Sequence, residues 1–308
     1  MYTQQRLVLM TLDPVHIGTG GYRLGRVDLS IAREPGTNLP KIPGTSLAGA
    51  ARSYAAMRYE KPQCAGQGGG DRPEKKHCGE STCPICYTFG NIRGAEGGNA
   101  GAVSLADAQL LLFPVHSMAG PVWVTTKARL IEVGFKVTAP DLGREQFVTT
   151  LAGWTKSLNL GWLLLEHKAG SVQVNLNGKS VQNWDAVAGR LALVEDGLFS
   201  QIVNSNLEVR TSVSIDPATG AAKEGALFTY EALPRASWLW CDVVEDNYRQ
   251  REQPFPKDHA RAKELKHERP LDVVKGGLSL AEHLGIGGMG TRGFGRIRLM
   301  GDWEVSHA

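Results

Sequence analysis

The sequence predicts a single α+β domain with large insertions, and three observations lead to this fold class. Extended segments lie near both ends of the chain, at Gln5–Leu12 and Arg296–Met300. A helix-like run, Val273–Leu284, directly precedes the second of them. The 308 residues contain neither a clean internal repeat nor a long low-complexity linker. One domain with long insertions therefore explains the pattern better than two separate domains.

The first half of the chain predicts two extended segments, a helix and a long strand. Gln5–Leu12 is a strand, the glycine-rich segment Pro14–Gly25 is a loop, and Val27–Ala32 is a second extended segment. A helix begins at Gly44, where a hydroxyl can accept a hydrogen bond from a free amide of the first turn. The candidate capping residues are Thr45 and Ser46, and one apolar face carries Leu47, Ala50, Ala51 and Tyr54. Gly101–Phe113 follows as the strongest strand signal.

The second half predicts a long hairpin. Side chains alternate in polarity from Val209 to Ile215, Asp216–Gly220 is a turn, and Gly225–Tyr230 returns as a strand. Trp238–Val243 is another strand, and the charged, proline-bearing stretch Asp246–Arg269 is expected to be a solvated loop. Residues 138–205 mix helical and extended signals and give no order of elements.

Composition is that of a folded globular protein, with 42% hydrophobic and 21% charged residues. The net charge of +3 permits a nucleic-acid partner without arguing strongly for one. We find no N-terminal apolar signal region and no apolar run long enough to span a bilayer. The expectation is a soluble, cytoplasmic protein without a membrane partner.

The segment Gly285–Gly295, called the glycine loop below, has six glycines and one arginine in eleven positions. Ordered glycine at this density lets a ligand approach the backbone, and phosphates are typical ligands because amides and an arginine can surround an anion. The spacing Gly285-x-Gly287-x-x-Gly290 matches a dinucleotide fingerprint, which requires strand, loop and then helix. Here a helix comes first and a strand follows. A polymer with a repeating phosphate backbone is therefore the better ligand.

Residues 59–100 form a cysteine-rich insertion with metal-ligand spacing. Cys83 and Cys86 lie on one tight turn, and a tetrahedral site can be completed from Cys64, Cys78 and the adjacent His77. Which four of these five residues would bind the metal stays open. Four protein ligands leave no open position, so we expect a structural zinc site. The alternatives are unligated thiols, or a redox pair at Cys83 and Cys86.

Several polar residues allow both an ordinary and a functional interpretation. His16 is ordinarily a hydrogen-bonded loop histidine, and Asp28 a solvated residue on the opposite face of its strand from Val27 and Leu29. Asp107 is expected to be a structural hydrogen-bonding residue. Glu231, at the end of the hairpin, is ambiguous from local sequence alone.

Taken in order, six segments resemble one family. The chain is similar to the RAMP backbone subunits of type III CRISPR effector complexes, most of all in the Cmr branch (type III-B), with the related Csm branch second. The matching segments are Pro14–Glu34, Ile42–Arg52, Cys83–Asn91, Ser104–Thr126, Arg210–Pro234 and Gly285–Ile297.

The resemblance implies a ferredoxin-like, RNA-recognition-motif-like RAMP core, with a zinc-binding insertion and a protruding β-hairpin thumb at residues 209–231. Copies of the chain would stack along a CRISPR guide RNA beside other type III subunits. Ala48 stands where the family often has a lysine, so Arg52 or Lys41 would have to substitute for it. The residues implied in guide-RNA binding are Lys41, Thr45, Ser46, Arg52, Gly287, Gly288 and Arg292.

The resemblance also implies an activity, the metal-dependent cleavage of complementary target RNA at regular intervals. Asp28 maps to the catalytic carboxylate, and His16 and Glu231 map to neighbouring site positions. Mg²⁺ would act together with RNA oxygens, and the 2′-hydroxyl would attack the adjacent phosphorus. Three other functions stay open from sequence: a non-catalytic guide-binding scaffold, a guide-processing ribonuclease and a zinc-dependent oxidoreductase. The hairpin and the zinc insertion favour a filament subunit over a processing ribonuclease, and the cysteine cluster offers no open position for a catalytic zinc.

Overall fold

The structure is a computed structural model that describes residues 2–20, 27–66, 77–92, 98–223, 226–250 and 253–305. The strands are β1 (Tyr2–Thr11), β2 (Lys41–Ile42), β3 (Asn91–Ile92), β4 (Gly98–Asn99), β5 (Val103–Leu105), β6 (Ala108–Ser117), β7 (Gly120–Thr125), β8 (Lys136–Thr138), β9 (Gln146–Thr149), β10 (Leu158–Leu160), β11 (Leu163–His167), β12 (Gln173–Asn175), β13 (Leu191–Val194), β14 (Glu208–Ser212), β15 (Phe228–Ala232), β16 (Trp238–Asp246) and β17 (Ile297–Glu304). The helices are α1 (Gly44–Arg58), α2 (Pro84–Phe89), α3 (Lys127–Glu132), α4 (Trp184–Ala188), α5 (Asp196–Ser205), α6 (Ala260–Leu265) and α7 (Pro270–Leu284).

Parts of four predicted segments lie outside the described residues. They are positions 21–25 of the first glycine-rich loop, positions 67–76 and 93–97 of the cysteine-rich insertion, positions 224–225 of the hairpin and positions 251–252 of the charged stretch. Within the described part of the chain, no helix has the length and apolar character needed to cross a lipid bilayer.

One large sheet organises the molecule, which confirms the predicted mixture of helices and strands. Its order is β10-β11-β9-β13-β7-β6-β16-β1-β17, with β2 pairing to β6 and β5 pairing to β16. Six of the elements form a β-α-β-β-α-β succession when the elements inserted between them are left out. In chain order they are β1, α1, β6, β16, α7 and β17. Their four strands lie in the order β6-β16-β1-β17, and every pair is antiparallel.

The period of two along these strands divides the core between the two faces of the sheet. Leu7 and Leu9 of β1 face the cluster that also contains Leu47 of α1 and Leu278 of α7, whereas Val8 lies in the cluster on the opposite face. Helices α1 and α7 pack side by side on the first face. They approach so closely that a Cβ on Gly277 would clash with the carbonyl oxygen of Ala51.

The beginning of α1 differs from the expectation that Thr45 or Ser46 caps it. The N-cap residue is Pro43, and no side chain within the helix start caps it. Asp107 does so from outside, because its Oδ1 accepts a hydrogen bond of 2.8 Å from the Gly44 amide while its Oδ2 pairs with Lys41. These two bonds, the amide first, lower the pKa of Asp107 below its ordinary 3.8.

Asp107 also interrupts the predicted strand Gly101–Phe113, which the structure divides into β5 and β6. The predicted hairpin is present, but its ladder ends at the pair Ser212–Phe228, earlier than the alternation up to Ile215 suggested. Beyond that pair the chain turns, with one bridge between Ile215 and Ala222. The extended segment Val27–Ala32 forms only isolated bridges.

The stretch Asp246–Arg269 is not simply a solvated loop. It contains α6, and it buries Phe255, Ala262 and His267. Phe255 and Ala262 belong to a small core with the cysteines and with residues of α1, α2 and α7. This stretch therefore covers the cysteine-rich insertion, a role that its high charge concealed.

We expect Asp107→Ala to lower the free energy of unfolding by about 1 kcal/mol, because it removes the acceptor for the Gly44 amide. The part-exposed pair with Lys41 adds little to this. The contribution is present above the ordinary pKa of Asp107 and is lost as pH falls through its lowered folded-state pKa. Urea unfolding at pH 7 measures it.

Thr45→Ala is the matched control, because Thr45 is exposed and makes no capping hydrogen bond. It should leave the unfolding midpoint nearly unchanged. If Thr45→Ala lowered the free energy of unfolding as much as Asp107→Ala does, the helix would be capped from within.

Candidate active site and metal centre

Three segments that are distant in sequence meet beside the hairpin. They are the N-terminal loop (Pro14–Gly18) with the following Asp28 segment (Val27–Arg33), the hairpin base (Phe228–Leu233) and the glycine loop. Val15 and Leu233 exchange backbone hydrogen bonds of 2.9 and 3.0 Å, and the Gly288 amide donates to the His16 carbonyl at 2.9 Å. The sequence-predicted catalytic residues and the glycine loop are therefore brought together.

Asp28 is exposed and is held by one residue of the hairpin base. Its Oδ2 accepts hydrogen bonds from the Thr229 amide at 2.7 Å and from the Thr229 hydroxyl at 2.9 Å. The bond from the Thr229 amide, followed by that from its hydroxyl, lowers the pKa of Asp28 below its ordinary value. Asp28 is therefore an ionised, accessible and fixed carboxylate.

Glu231, in contrast, is buried and fully paired. Arg33 donates to its two oxygens at 2.5 and 2.8 Å, and the Ile31 amide donates at 2.9 Å. A carboxylate engaged in this way holds the Asp28 segment against the hairpin base, and both of its oxygens accept hydrogen bonds from the protein. Sequence reasoning did not single out Arg33, although it lies in a segment that carried the resemblance.

His16 is also buried, with 5% of its surface exposed. Its Nδ1 lies 2.7 Å from the Glu231 carbonyl oxygen, so Nδ1 carries the proton. A Cβ on Gly18 or Gly288 would lie 3.1 or 3.4 Å from the ring. The ring therefore fits between two backbone segments, which matches the ordinary interpretation of a hydrogen-bonded loop histidine.

The glycine loop presents exposed backbone at Gly287 and Gly288. Gly287 has φ +77°, and a Cβ there would lie 2.5 Å from the His16 carbonyl oxygen, so only glycine fits. The next left-handed residue is Met289, with φ +65°. Positive φ at both positions turns the backbone tightly here, and the Gly288 amide between them donates to the His16 carbonyl.

An aromatic cluster that the sequence did not reveal supports the glycine loop. Phe228 and Tyr230 of β15 pack with Phe294, at ring-centroid distances of 5.8 Å between the first two and 5.5 Å between the last two. The exposed Arg292 stacks over Phe228 at 5.6 Å, and Arg210 stacks over Phe294 at 4.7 Å. These aromatic residues come from two segments that are distant in sequence. Apart from the alternation in β15, no local sequence pattern therefore predicted the cluster.

Of the four residues around the start of α1 that were expected to bind RNA, two are accessible and two are engaged within the protein. Thr45 is exposed and Ser46 is half-buried, so both are within reach of a ligand. Lys41 is paired with Asp107. Arg52 is directed inward, where it donates to the Cys64 carbonyl at 2.8 Å and to the Phe89 carbonyl at 3.3 Å. Contrary to expectation, Arg52 is committed to the cysteine-rich insertion and cannot reach an RNA phosphate from this position.

The four clustered cysteines come together in the fold. Their Sγ atoms all lie within 4.8 Å of one another, and the measured pairs span 3.3 to 3.8 Å. A tetrahedron with Zn–S bonds of about 2.3 Å has edges of about 3.8 Å. Cys64, Cys78, Cys83 and Cys86 therefore have the spacing of a closed four-thiolate site. The fifth cysteine, Cys241, lies in β16 outside this group.

His77 does not join the cysteines, although the sequence made it a candidate ligand. Its Nε2 lies 3.2 Å from the Ala65 carbonyl oxygen, and its Nδ1 accepts a hydrogen bond of 3.2 Å from the Ile92 amide. Both ring nitrogens are therefore engaged by the backbone. The histidine fastens the insertion and is not a metal ligand.

Comparison with known proteins gives the same family as the sequence motifs. Over 312 aligned residues the chain is 27% identical to the CRISPR system Cmr endoribonuclease Cmr4 of Pyrococcus furiosus, with 94% of this chain and 93% of that protein covered. The crystal structure of oligomeric Cmr4 from Pyrococcus furiosus matches with a TM-score of 0.61 at 19% identity, covering 99% of both chains.

A second structural match is the cryo-EM structure of the type III-B Cmr-beta complex bound to cognate target RNA. It has a TM-score of 0.61 at 16% identity and covers 96% of both chains. The family model of the RAMP superfamily matches residues 8–298. The chain therefore belongs to the RAMP superfamily.

Proposed function

We propose that this protein is a guide-RNA-binding backbone subunit of a type III-B CRISPR interference complex, and that it cleaves complementary target RNA at regular intervals. The observation that carries the proposal is the exposed, fixed carboxylate of Asp28 at the junction of the hairpin base and the glycine loop. Its relative Cmr4 is named as an endoribonuclease, and that match extends over nearly the whole chain. Copies of the chain and other subunits of the complex are its protein partners.

The order of elements supports a ferredoxin-like, RNA-recognition-motif-like core. The β-α-β-β-α-β succession with four antiparallel strands is the arrangement that defines such folds. The thumb is the hairpin of β14 and β15, which forms its own two-stranded sheet. Beyond the ladder it exposes three large apolar side chains, Val213, Ile215 and Leu227, which suit contact with unstacked bases.

The guide backbone is proposed to lie along the glycine loop and the start of α1. Gly287 and Gly288 present exposed backbone, although the Gly288 amide already donates to the His16 carbonyl, and the Arg292 guanidinium is exposed in the same loop. Stacking on Phe228 limits the motion of this guanidinium, so less entropy is lost when it binds a phosphate. Thr45 and Ser46 add hydroxyl donors at the beginning of the helix.

In the proposed reaction the 2′-hydroxyl of the target attacks the adjacent phosphorus. The bond from phosphorus to the 5′-oxygen breaks, which leaves a cyclic 2′,3′-phosphate and a 5′-hydroxyl. Asp28 accepts the 2′-hydroxyl proton, and water supplies a proton to the leaving 5′-oxygen. Flipping a base at the thumb gives the in-line geometry that a regular A-form helix lacks. Glu231 and His16, both inside the protein, position the segment that carries Asp28.

A divalent cation fits this site only together with RNA. Asp28 is one exposed carboxylate, and a hard cation such as Mg²⁺ needs several more oxygen ligands, which RNA and water would provide. When bound, Mg²⁺ would stabilise the negative charge that develops on the phosphate.

The cysteine site is proposed to hold structural zinc. Four thiolates favour zinc over magnesium or calcium, and they leave no position for a substrate. Zinc thiolates of this kind, instead of disulfides, suit the reducing cytoplasm, where we place the protein.

Replacing Asp28 tests the proposed activity. We expect Asp28→Asn, in the complex assembled with guide RNA and Mg²⁺, to slow target cleavage by about 10²–10⁴-fold, because the proton acceptor is lost. Guide binding should not change. Denaturing gels of end-labelled target RNA measure the rate and the spacing of the cuts.

Asp141→Asn is the control, since Asp141 is a fully exposed carboxylate whose only described ion pair, with Lys127, spans 3.6 Å. It should cut like the wild type. Normal cutting by Asp28→Asn would rule out Asp28 as the catalytic residue, and tight binding without cuts in any variant would make the chain a scaffold.

Arg292→Ala should weaken guide binding at every guide sequence and reduce the slope of log affinity against log salt by about 1, since one phosphate contact is lost. Titration of labelled guide RNA at several salt concentrations gives this slope. Arg144→Ala, at an exposed arginine remote in sequence from all three segments, should leave it unchanged. An unchanged slope for Arg292→Ala would remove this arginine from the RNA site.

The purified chain should contain about one zinc ion per molecule, and Cys83→Ser should lose it and unfold at lower temperature. Elemental analysis and thermal unfolding measure both effects. His77→Gln and Cys241→Ala should keep the metal, because neither residue belongs to the thiolate group. Loss of zinc in His77→Gln with retention in Cys83→Ser would reverse the ligand assignment.

A further inference from the structure

Thr229 makes an unusually complete connection to the residue proposed to be catalytic. Its amide and hydroxyl both donate to Asp28 Oδ2, at 2.7 and 2.9 Å. In the other direction, the Asp28 amide donates to the Thr229 hydroxyl oxygen at 3.1 Å, and the Leu29 amide donates to the Thr229 carbonyl at 3.1 Å. The threonine hydroxyl therefore acts as donor and acceptor to the same residue.

These bonds distinguish the two oxygens of Asp28. Oδ2 carries both bonds from Thr229, whereas Oδ1 accepts no hydrogen bond from any other residue that the structure describes. Asp28 is exposed, and among the described residues only Thr229 donates hydrogen bonds to its carboxylate. A freely rotating surface carboxylate would lose conformational entropy each time it aligned with a reacting group. The hydrogen bonds between Thr229 and Asp28, called the clamp below, reduce that cost in advance.

The clamp also connects the carboxylate to the hairpin. Thr229 lies between Phe228, under Arg292, and Tyr230, whose ring meets His16 at 6.1 Å. The second strand of the hairpin, β15, therefore sets the position of Asp28 directly. A register shift of β15 by one residue would put a different side chain opposite the carboxylate.

We propose that Thr229 is a positioning residue for RNA cleavage: its hydroxyl fixes Asp28 so that Oδ1 is the oxygen presented to the target RNA. The proposal rests on the proposed function, because it gives Thr229 a role only if Asp28 takes part in cleavage. Thr229 itself touches neither substrate nor reacting atoms.

The test compares Thr229→Val with Thr229→Ser in the complex assembled with guide RNA. Valine keeps the β-branched shape and the backbone amide bond but lacks the hydroxyl, whereas serine keeps the hydroxyl. We expect Thr229→Val to lower the single-turnover cleavage rate about tenfold with unchanged affinity for target RNA, since one hydrogen bond to a charged group is lost. Thr229→Ser should keep most of the wild-type cleavage rate.

The pH profile gives an independent readout. Hydrogen bonds from Thr229 lower the pKa of Asp28, and the ionised form is the active one. Without the hydroxyl this pKa rises, so the acid limb of the rate should move to higher pH in Thr229→Val and stay in place in Thr229→Ser. Thr138→Val is the matched control, because Thr138 is an exposed threonine on the paired strand β8, outside the hairpin and the other segments of the site. It should behave like the wild type.

Equal rates and equal pH limbs for the valine and serine variants would overturn the proposal, whether both were fast or both were slow. Asp28→Asn separates this failure from failure of the proposed function. If Asp28→Asn is inactive while Thr229→Val cuts normally, only the clamp is wrong. If Asp28→Asn cuts normally, the proposed function fails, and the role of Thr229 fails with it.

Discussion

The part-buried ion pair between Arg33 and Glu231 is the constraint on which the candidate site depends. It joins the Asp28 segment to the hairpin base through two bonds from the guanidinium, and the Ile31 amide adds a third bond to the same carboxylate. Removing Arg33 would leave the buried Glu231 carboxylate without its charged partner, which is destabilising. With this pair in place, Asp28 lies opposite Thr229 and His16 lies beside the glycine loop. The ion pair therefore holds the segment that carries the exposed Asp28 in register with the hairpin base.

Helix α1 connects this site to the metal centre. Its start is anchored by Asp107, and Arg52 in its middle binds the Cys64 carbonyl. Two residues later, the Tyr54 hydroxyl donates to the carbonyl of Gly285, the first residue of the glycine loop. A metal bound by the cysteines would therefore also stabilise the helix against which the glycine loop begins. The proposed zinc site and the proposed RNA site are separate in chemistry but share this helix.

Sequence predicted well what depends on local periodicity and on motifs. The strands β1, β16 and β17, the helices α1 and α7, the hairpin and the clustering of the four cysteines are all present. It failed where distant residues supply the partner. The start of α1 is capped by Asp107, 63 residues later in the chain, and not by Thr45 or Ser46; Arg52 is drawn inward by Cys64, and His77 bonds to the backbone. The roles of Arg33 and Thr229 were missed for the same reason, since both depend on a pairing about 200 residues apart.

The central claim is that the N-terminal loop, the hairpin base and the glycine loop form one RNA surface. Hydrogen–deuterium exchange of the full chain, with and without guide RNA, tests it most directly. We expect the amides of residues 285–295 to exchange more slowly with guide bound, together with those of residues 14–18 and 228–233. Protection that appeared instead around the cysteine-rich insertion, with the glycine loop unchanged, would contradict the account.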